Sequence, residues 1–236
     1  MSQFVLGRAK AQMVKAMEEY YNAIQVNVQF SGSHLKVLTI TSVQPGEGKS
    51  TTSTNLAISF ANSGYRTLLI DADIRNSVMT GTFKADEAYH GLTSYLSGHV
   101  ELNNVIHGTS VENLSIIPAG QVPPNPTTLL QNTRFDAMIE QFRRQYDYVI
   151  IDTPPIGLVV DAAIVAQKTD GSILVTESGS ISRRFVKKAV EQMEQSGAQF
   201  LGVILNKVDT TKERYGFYGS YGAYGNYGKQ PDTDQV

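Results

Sequence analysis

The ten residues Ser42-Val-Gln-Pro-Gly-Glu-Gly-Lys-Ser-Thr51 restrict the fold more than any other segment of this chain. They follow the apolar run Val37-Leu-Thr-Ile-Thr41 and lead into a helix-like stretch over 48–63 that closes at Ser63-Gly64. A glycine-rich turn from strand into helix aims several backbone N–H groups at one point, where the positive end of the helix macrodipole reinforces them. Phosphate groups bind at such points. The pattern is a P-loop, G-x-x-x-x-G-K-[ST], with Val43 in place of the first glycine. Pro45, Gly46, Glu47, Gly48, Lys49, Ser50 and Thr51 are therefore the expected nucleotide contacts. Lys49 is expected on the β- and γ-phosphates, the Ser50 hydroxyl on Mg²⁺, and Thr51 on the α-phosphate.

Five more apolar runs repeat the strand signal: Arg66–Asp71, Asn113–Ile117, Tyr148–Asp152, Ser172–Thr176 and Phe200–Leu205. Helical patterns lie between them, from Pro126 to Tyr146, over 156–168 and over 182–196, with a short helix at 91–97 in the less regular region 75–112. Continuously apolar strands separated by helices predict a doubly wound α/β fold of the P-loop NTPase kind, a mainly parallel sheet with helices on both faces. Residues 3–30 read as a helix ahead of that pattern, so 1–34 is expected to be an N-terminal helical extension and 35–209 the P-loop domain. Past Asp209 apolar periodicity stops, and 210–236 reads as a flexible tail. The formal charge of −2 gives no sign of a nucleic-acid partner, and the absence of cysteine excludes disulfides and thiolate metal sites. Residues 1–30 lack the pattern of a secretory signal, and no run approaches the ~18–20 apolar residues that cross a bilayer. A cytoplasmic protein that meets the membrane through a partner is the expectation.

Acidic residues stand at the carboxyl ends of two strands. Asp71 and Asp73 occur in Leu-Leu-Ile-Asp-Ala-Asp-Ile-Arg75, and Asp152 in Val-Ile-Ile-Asp-Thr-Pro-Pro155. In a doubly wound sheet the ligand sits at those ends. Asp152 fits a Walker B carboxylate on Mg²⁺, and Asp73 is a second candidate for the metal. Residues i and i+2 of a strand share a face, so Asp71 or Asp73 could serve as a base toward an incoming hydroxyl; both remain open. Arg75 either steadies the γ-phosphate or an acceptor, or pairs with an acid at the surface. Asn206, in Asn206-Lys-Val-Asp209, is placed near the base of the nucleotide.

Five of the twelve tyrosines, Tyr215, Tyr218, Tyr221, Tyr224 and Tyr227, recur at every third position of the tail. Together with Pro-Gly-Glu-Gly-Lys-Ser-Thr51, the Asp71–Arg75 box and the Asp152 box, this cluster resembles the bacterial tyrosine kinases. The chain is most similar to the cytoplasmic autokinase subunits of Gram-positive capsule and exopolysaccharide loci. The resemblance implies ATP as donor, Mg²⁺, and autophosphorylation of the five tail tyrosines. It also implies activation by a membrane adaptor of the polysaccharide co-polymerase type, reversal by a cognate tyrosine phosphatase, and self-association. Catalytic roles would then fall to Lys49, Asp71, Asp73, Arg75 and Asp152. One element departs from the family: a Glu-x-x-Arg-x-x-Arg motif that supports ring assembly reads Glu19, Asn22 and Gln25 here, without either arginine. The competing reading of that stretch is a solvated helix face.

Two other functions compete. A non-kinase ATPase switch of the partition and septum-positioning type shares this P-loop branch, but its signature lysine is Gln44 here. Alternatively, the Tyr/Gly tail is a sticky assembly element on a nucleotide-binding scaffold. Phosphorylation of the tail in trans is expected from the crowding that a short return loop would meet.

Overall fold

The computed structural model describes residues 3–209. The tail, with Tyr215, Tyr218, Tyr221, Tyr224 and Tyr227, lies outside the described residues. Nine strands form one sheet: β1 (Gln3–Leu6), β2 (Val37–Ser42), β3 (Thr67–Asp71), β4 (Phe83–Ala85), β5 (His107–Thr109), β6 (Leu114–Ile117), β7 (Tyr148–Asp152), β8 (Gly171–Glu177) and β9 (Gln199–Asn206). Their spatial order is β4-β1-β5-β6-β3-β7-β2-β8-β9. From β6 to β9 every pairing is parallel; β1–β4 and β5–β6 are antiparallel. The helices are α1 (Arg8–Ala16), α2 (Glu18–Ser31), α3 (Lys49–Asn62), α4 (Leu92–Leu96), α5 (Pro126–Leu130), α6 (Thr133–Gln145), α7 (Asp161–Ala166) and α8 (Arg183–Glu194).

Strand residues alternate between two cores, as the two-residue period of a pleated strand requires. Leu68 and Ile70 of β3 and Val149 and Ile151 of β7 pack with Leu92, Phe135, Met138 and Phe142, from α4 and α6. Their neighbours Leu69 and Ile150 face the other way, onto Leu56 and Phe60 of α3 and Tyr21 and Val28 of α2. Both faces are therefore covered, and the central strands β2, β3, β7 and β8 are buried at nearly every position.

The structure corrects three expectations. Residues 3–30 do not form one helix: Gln3–Leu6 is a strand that pairs in parallel with β5 and antiparallel with β4. Phe4 drives this, since its ring is buried against Tyr89 and His107. The single helix expected from Pro126 to Tyr146 breaks at Gln131-Asn132, where the Asn132 side chain accepts the Arg134 N–H (3.0 Å) and starts α6 afresh. The face carrying Asn22 and Gln25 is not simply solvated. Gln25 is buried, and its side-chain oxygen accepts from Ser59 (2.9 Å) and Ser63 (3.0 Å), while Asn22 accepts from Ser59 (2.7 Å). These amides fasten α2 to α3, the helix that follows the P-loop.

Removal of the Phe4 ring tests how far β1 belongs to the domain. Phe4→Ala is expected to cost about 3–5 kcal/mol, as for other buried Phe→Ala changes. At about 2–4 °C per kcal/mol for a chain of this size, thermal denaturation would show Tm falling by roughly 6–20 °C. An unchanged Tm would mean that β1 contributes nothing to stability.

Candidate active site

The β2–α3 turn has the backbone form that a phosphate cradle requires. Gly46 and Gly48 hold φ of 85° and 95°, the left-handed region that L residues with a Cβ adopt at a cost. Gly48 has a second constraint: a Cβ there would lie 2.1 Å from the Asn206 side-chain nitrogen. That amide donates to Glu47 O at 2.9 Å, so Asn206, at the end of β9, braces the loop directly. The Glu47 side chain, expected among the nucleotide contacts, turns away from the cradle and is fully buried. Its carboxylate accepts from Gln44 N–H (2.7 Å), the Thr176 hydroxyl (2.8 Å) and Glu177 N–H (3.3 Å), which ties the loop to β8.

Strand register brings the acids together. Asp71 and Asp152 are paired residues on neighbouring parallel strands, so both carboxyls leave the sheet at one level beside α3. Lys49 Nζ lies 2.8 Å from Asp73 Oδ2 and 3.6 Å from Asp152 Oδ2. Ser50 Oγ donates to Asp152 Oδ2 at 2.6 Å. Ser53, one turn further along α3, donates to Asp152 Oδ1 at 3.0 Å. Asp71 is sealed off: Oδ1 accepts the Asp73 N–H (3.1 Å) and Oδ2 accepts from Ser77 Oγ (2.5 Å). Asp73, by contrast, lines the open cavity.

Burial works against the Lys49 ammonium, but Asp152 and Asp73 outweigh it and hold its pKa above the usual lysine value. Burial also pushes Asp152 up, with Lys49, Ser50 and Ser53 pulling back. Asp71 is raised to about 8, first by burial and then by the Asp152 charge.

Arg75 also lines the cavity, but its guanidinium is engaged. Nε donates to Asp161 Oδ2 (2.6 Å), and Nη2 donates to Asp161 Oδ1 (3.1 Å) and Thr127 Oγ1 (2.8 Å). Asp161 at the start of α7 is fully buried, and Thr127 Oγ1 donates to it at 2.9 Å. The arginine is thus held in a fixed, bidentate position at the rim. Ser53, Ser77, Thr127 and Asp161 escape a sequence reading. Only Ser53 leaves a signal there, three residues after Ser50 on the same helix face.

The cavity measures about 360 Å³ and is lined on one side by Pro45, Gly46, Gly48, Lys49, Ser50, Thr51 and Asp73. Among the described residues no group of three or more His, Cys, Asp or Glu side chains is disposed to hold a metal ion alone. A hydroxyl beside one carboxylate at the rim of a phosphate cradle instead fits Mg²⁺, which keeps several waters and takes further oxygens from the substrate phosphates.

With the cradle and its strand-end acids defined, similarity to known proteins becomes informative. The model of an AAA domain matches residues 35–199. Tyrosine-protein kinase CpsD of Streptococcus agalactiae serotype III is 60% identical over 208 residues, which cover 88% of this chain and 90% of that protein. The chain belongs to the bacterial tyrosine kinases. The kinase domain of the Escherichia coli tyrosine kinase ETK superposes with a TM-score of 0.77 at 36% identity, covering 84% of this chain and 80% of that one. The septum site-determining protein MinD of Pyrococcus horikoshii, solved with Mg-ADP, matches less closely: TM-score 0.62, 26% identity, over 72% of this chain and 70% of that one. The P-loop NTPase-like architecture is common to these structures, and the family is one of nucleotide-binding proteins.

The raised pKa of Asp71 gives a stability test in nucleotide-free, metal-free protein. A carboxyl whose folded pKa exceeds its unfolded value near 3.8 takes up a proton on folding. Its stabilising contribution is complete below about pH 4 and is lost as pH rises toward about 8. Asp71→Asn is expected to flatten the fall of Tm between pH 5.5 and 8 and to raise Tm at pH 8. A parallel pH profile for both proteins would show that Asp71 ionises like an exposed carboxylate.

Proposed function

We propose that this tyrosine kinase transfers the γ-phosphoryl of ATP to its own tail tyrosines, Tyr215, Tyr218, Tyr221, Tyr224 and Tyr227, in trans. The observation that carries the reading is the contact of Lys49, Ser50 and Asp152 at the cradle, with Asp73 facing the open cavity. Support for capsular polysaccharide as the biological setting comes from the similarity to the CpsD proteins. The division into an extension (1–34), a kinase domain (35–209) and a tail (210–236) belongs to the same proposal.

Each residue has a task that its surroundings favour. Pro45, Gly46, Gly48 and Thr51 cradle the phosphates, and Lys49 leaves Asp73 to meet the β- and γ-phosphates. Ser50, Asp152 and Asp73 would hold Mg²⁺, which spreads the charge that builds on the phosphoryl oxygens. A base must lie within hydrogen-bond reach of the proton that it accepts. Asp73 lines the cavity and is the better placed to take the phenolic proton; Asp71, closed off behind it, orients Asp73 through the Asp73 N–H. The phenolic oxygen bonds to the γ-phosphorus, the bond to ADP breaks, and the proton passes to the carboxylate. Arg75 is positioned for the γ-phosphate or the acceptor. Glu47 and Asn206 act on the loop rather than on the ligand, with Asn206 close enough to mark the base side.

No helix among the described residues is long and apolar enough to cross a membrane. Action at the inner face of the membrane would use a separate adaptor of the polysaccharide co-polymerase type, a reading supported by the likeness of this chain to the chimerical protein CapA2B2 (TM-score 0.75, 34% identity). A tyrosine phosphatase would restore the tail. Self-association would bring tail and site together, by contacts other than an arginine motif at Asn22 and Gln25.

Incubation with Mg-ATP, followed by anti-phosphotyrosine blotting and mass spectrometry of the tail, tests the reading. Wild type is expected to label within 215–227, and labelling should rise with protein concentration per molecule. Lys49→Met should reduce it at least 100-fold, because the P-loop ammonium is lost from the β- and γ-phosphates where charge develops. Replacement of all five tyrosines by Phe should abolish it. Full labelling of the all-Phe protein would remove the tail as acceptor.

A further inference from the structure

The cavity has two halves of opposite character. Facing the P-loop side are Val78, Pro154, Pro155, Leu158 and Val159. Leu158 and Val78 are 64% and 56% exposed, apolar surface in water beside a concave site. Neither owes its exposure to a loose loop. The Leu158 and Val159 N–H groups both donate to Pro155 O (3.1 and 3.3 Å), which closes a turn. That turn is fastened to β2 by Ile156 N–H to Ser42 O and by Thr41 Oγ1 to Pro154 O, both 2.8 Å. Gly157 approaches the P-loop so closely that a Cβ would lie 2.2 Å from Val43 O. Val78 stands in the chain between Ser77, whose hydroxyl holds Asp71, and the buried Met79. The loops that carry the acids thus also fix the apolar surface.

Its place along the nucleotide selects its ligand. The lysine of a P-loop reaches the β- and γ-phosphates, and Lys49 points at Asp73. Asp73 therefore lies toward the γ-phosphate end, where an acceptor has to enter, and Arg75, Asn76 and the apolar half line the same cavity. We propose that Val78, Pro155, Leu158 and Val159 form the acceptor subsite, which holds the ring of a tyrosine from the 215–227 segment of a second copy while its hydroxyl meets Asp73. The proposal rests on the reading of that segment as the acceptor.

The occupant follows from the chemistry of both surfaces. Residues 215–227 carry five tyrosines and no charge, and the apolar half carries no charge either. A phenol has an apolar ring to cover Leu158 and Val78 and a polar tip for Asp73. A serine or threonine offers no such ring, so the same surface discriminates for tyrosine. Glycine after each of the five tyrosines keeps the backbone slim enough to approach the turn. From Asp209 to Tyr227 the chain spans up to roughly 60 Å when extended, ample to reach a neighbour.

The test uses full chains. The enzyme carries alanine at 215, 218, 221, 224 and 227, and a Lys49→Met chain with its natural tail is the acceptor. Leu158→Ser and Val78→Ser are each expected to raise the KM for that acceptor about tenfold, the effect of losing part of one apolar side chain's burial. The dissociation constant of a fluorescent ATP analogue should stay within twofold, and Leu158→Met should restore the KM. An unchanged KM in both variants, a loss confined to kcat, or an equal loss of nucleotide affinity overturns the subsite. A defect that appears only with the adaptor's cytoplasmic segment present would assign the surface to the adaptor and also overturn it. If the enzyme with Val78 and Leu158 intact fails to label the acceptor's tail at all, the acceptor reading itself fails, an outcome distinct from the others.

Discussion

One ammonium serves three carboxylates, and the organisation of the molecule follows from that constraint. Asp71 and Asp152 emerge side by side from β3 and β7, and Asp73 follows two residues later. Three acids in a buried site repel one another and lose hydration, which is why Asp71 and Asp152 are driven toward the neutral form. Lys49 is the cation that offsets this, and it is also the group that a bound phosphate would claim. In the proposed function the same lysine therefore has two competing partners, the buried acids and the phosphates. A ligand that carries its own Mg²⁺ would release Lys49 and supply a cation for the acids in one event.

That balance works only if Lys49 is held at the right height, and most of the surrounding structure does this. Glu47 ties the P-loop to β8, and Asn206 braces it from β9. Gly157 and Ile156 lock the turn after β7 against the first residues of the loop. On the far side α2 grips α3 through Asn22 and Gln25. Phosphoryl transfer depends mainly on positioning and on charge placed in advance, so under the proposed function rigid bracing of the P-loop would serve catalysis as well as stability.

The parallel half of the sheet was legible because its central strands are buried on both faces and so read as largely apolar runs. Strands β1, β4 and β5 are only three or four residues long. They are too short to show a period. Strands β1 and β4 pair with each other across more than 75 residues, β5 joins β1 from more than 100 residues away, and a single buried ring, Phe4, helps to fix them. The P-loop and the strand-end acids were legible because their chemistry requires particular residue types at particular spacings. The orientation of Glu47 and the clamp of Arg75 by Asp161 and Thr127 were not. A carboxylate or guanidinium has the same local signature whether it points into a cavity or away from it.

Sequence alone determined that this chain carries a phosphate cradle, that acids stand at the carboxyl ends of two strands beside it, and that the sheet is mainly parallel. Local spacing and strand burial dictate all three. Tertiary structure decided which acid faces the cavity, which cation is committed to which carboxylate, and where exposed apolar surface borders the site. Those outcomes depend on strand register and on contacts between residues as far apart as Glu47 and Asn206. Free energies of burial and pairing are settled only when such distant groups share the same few ångströms.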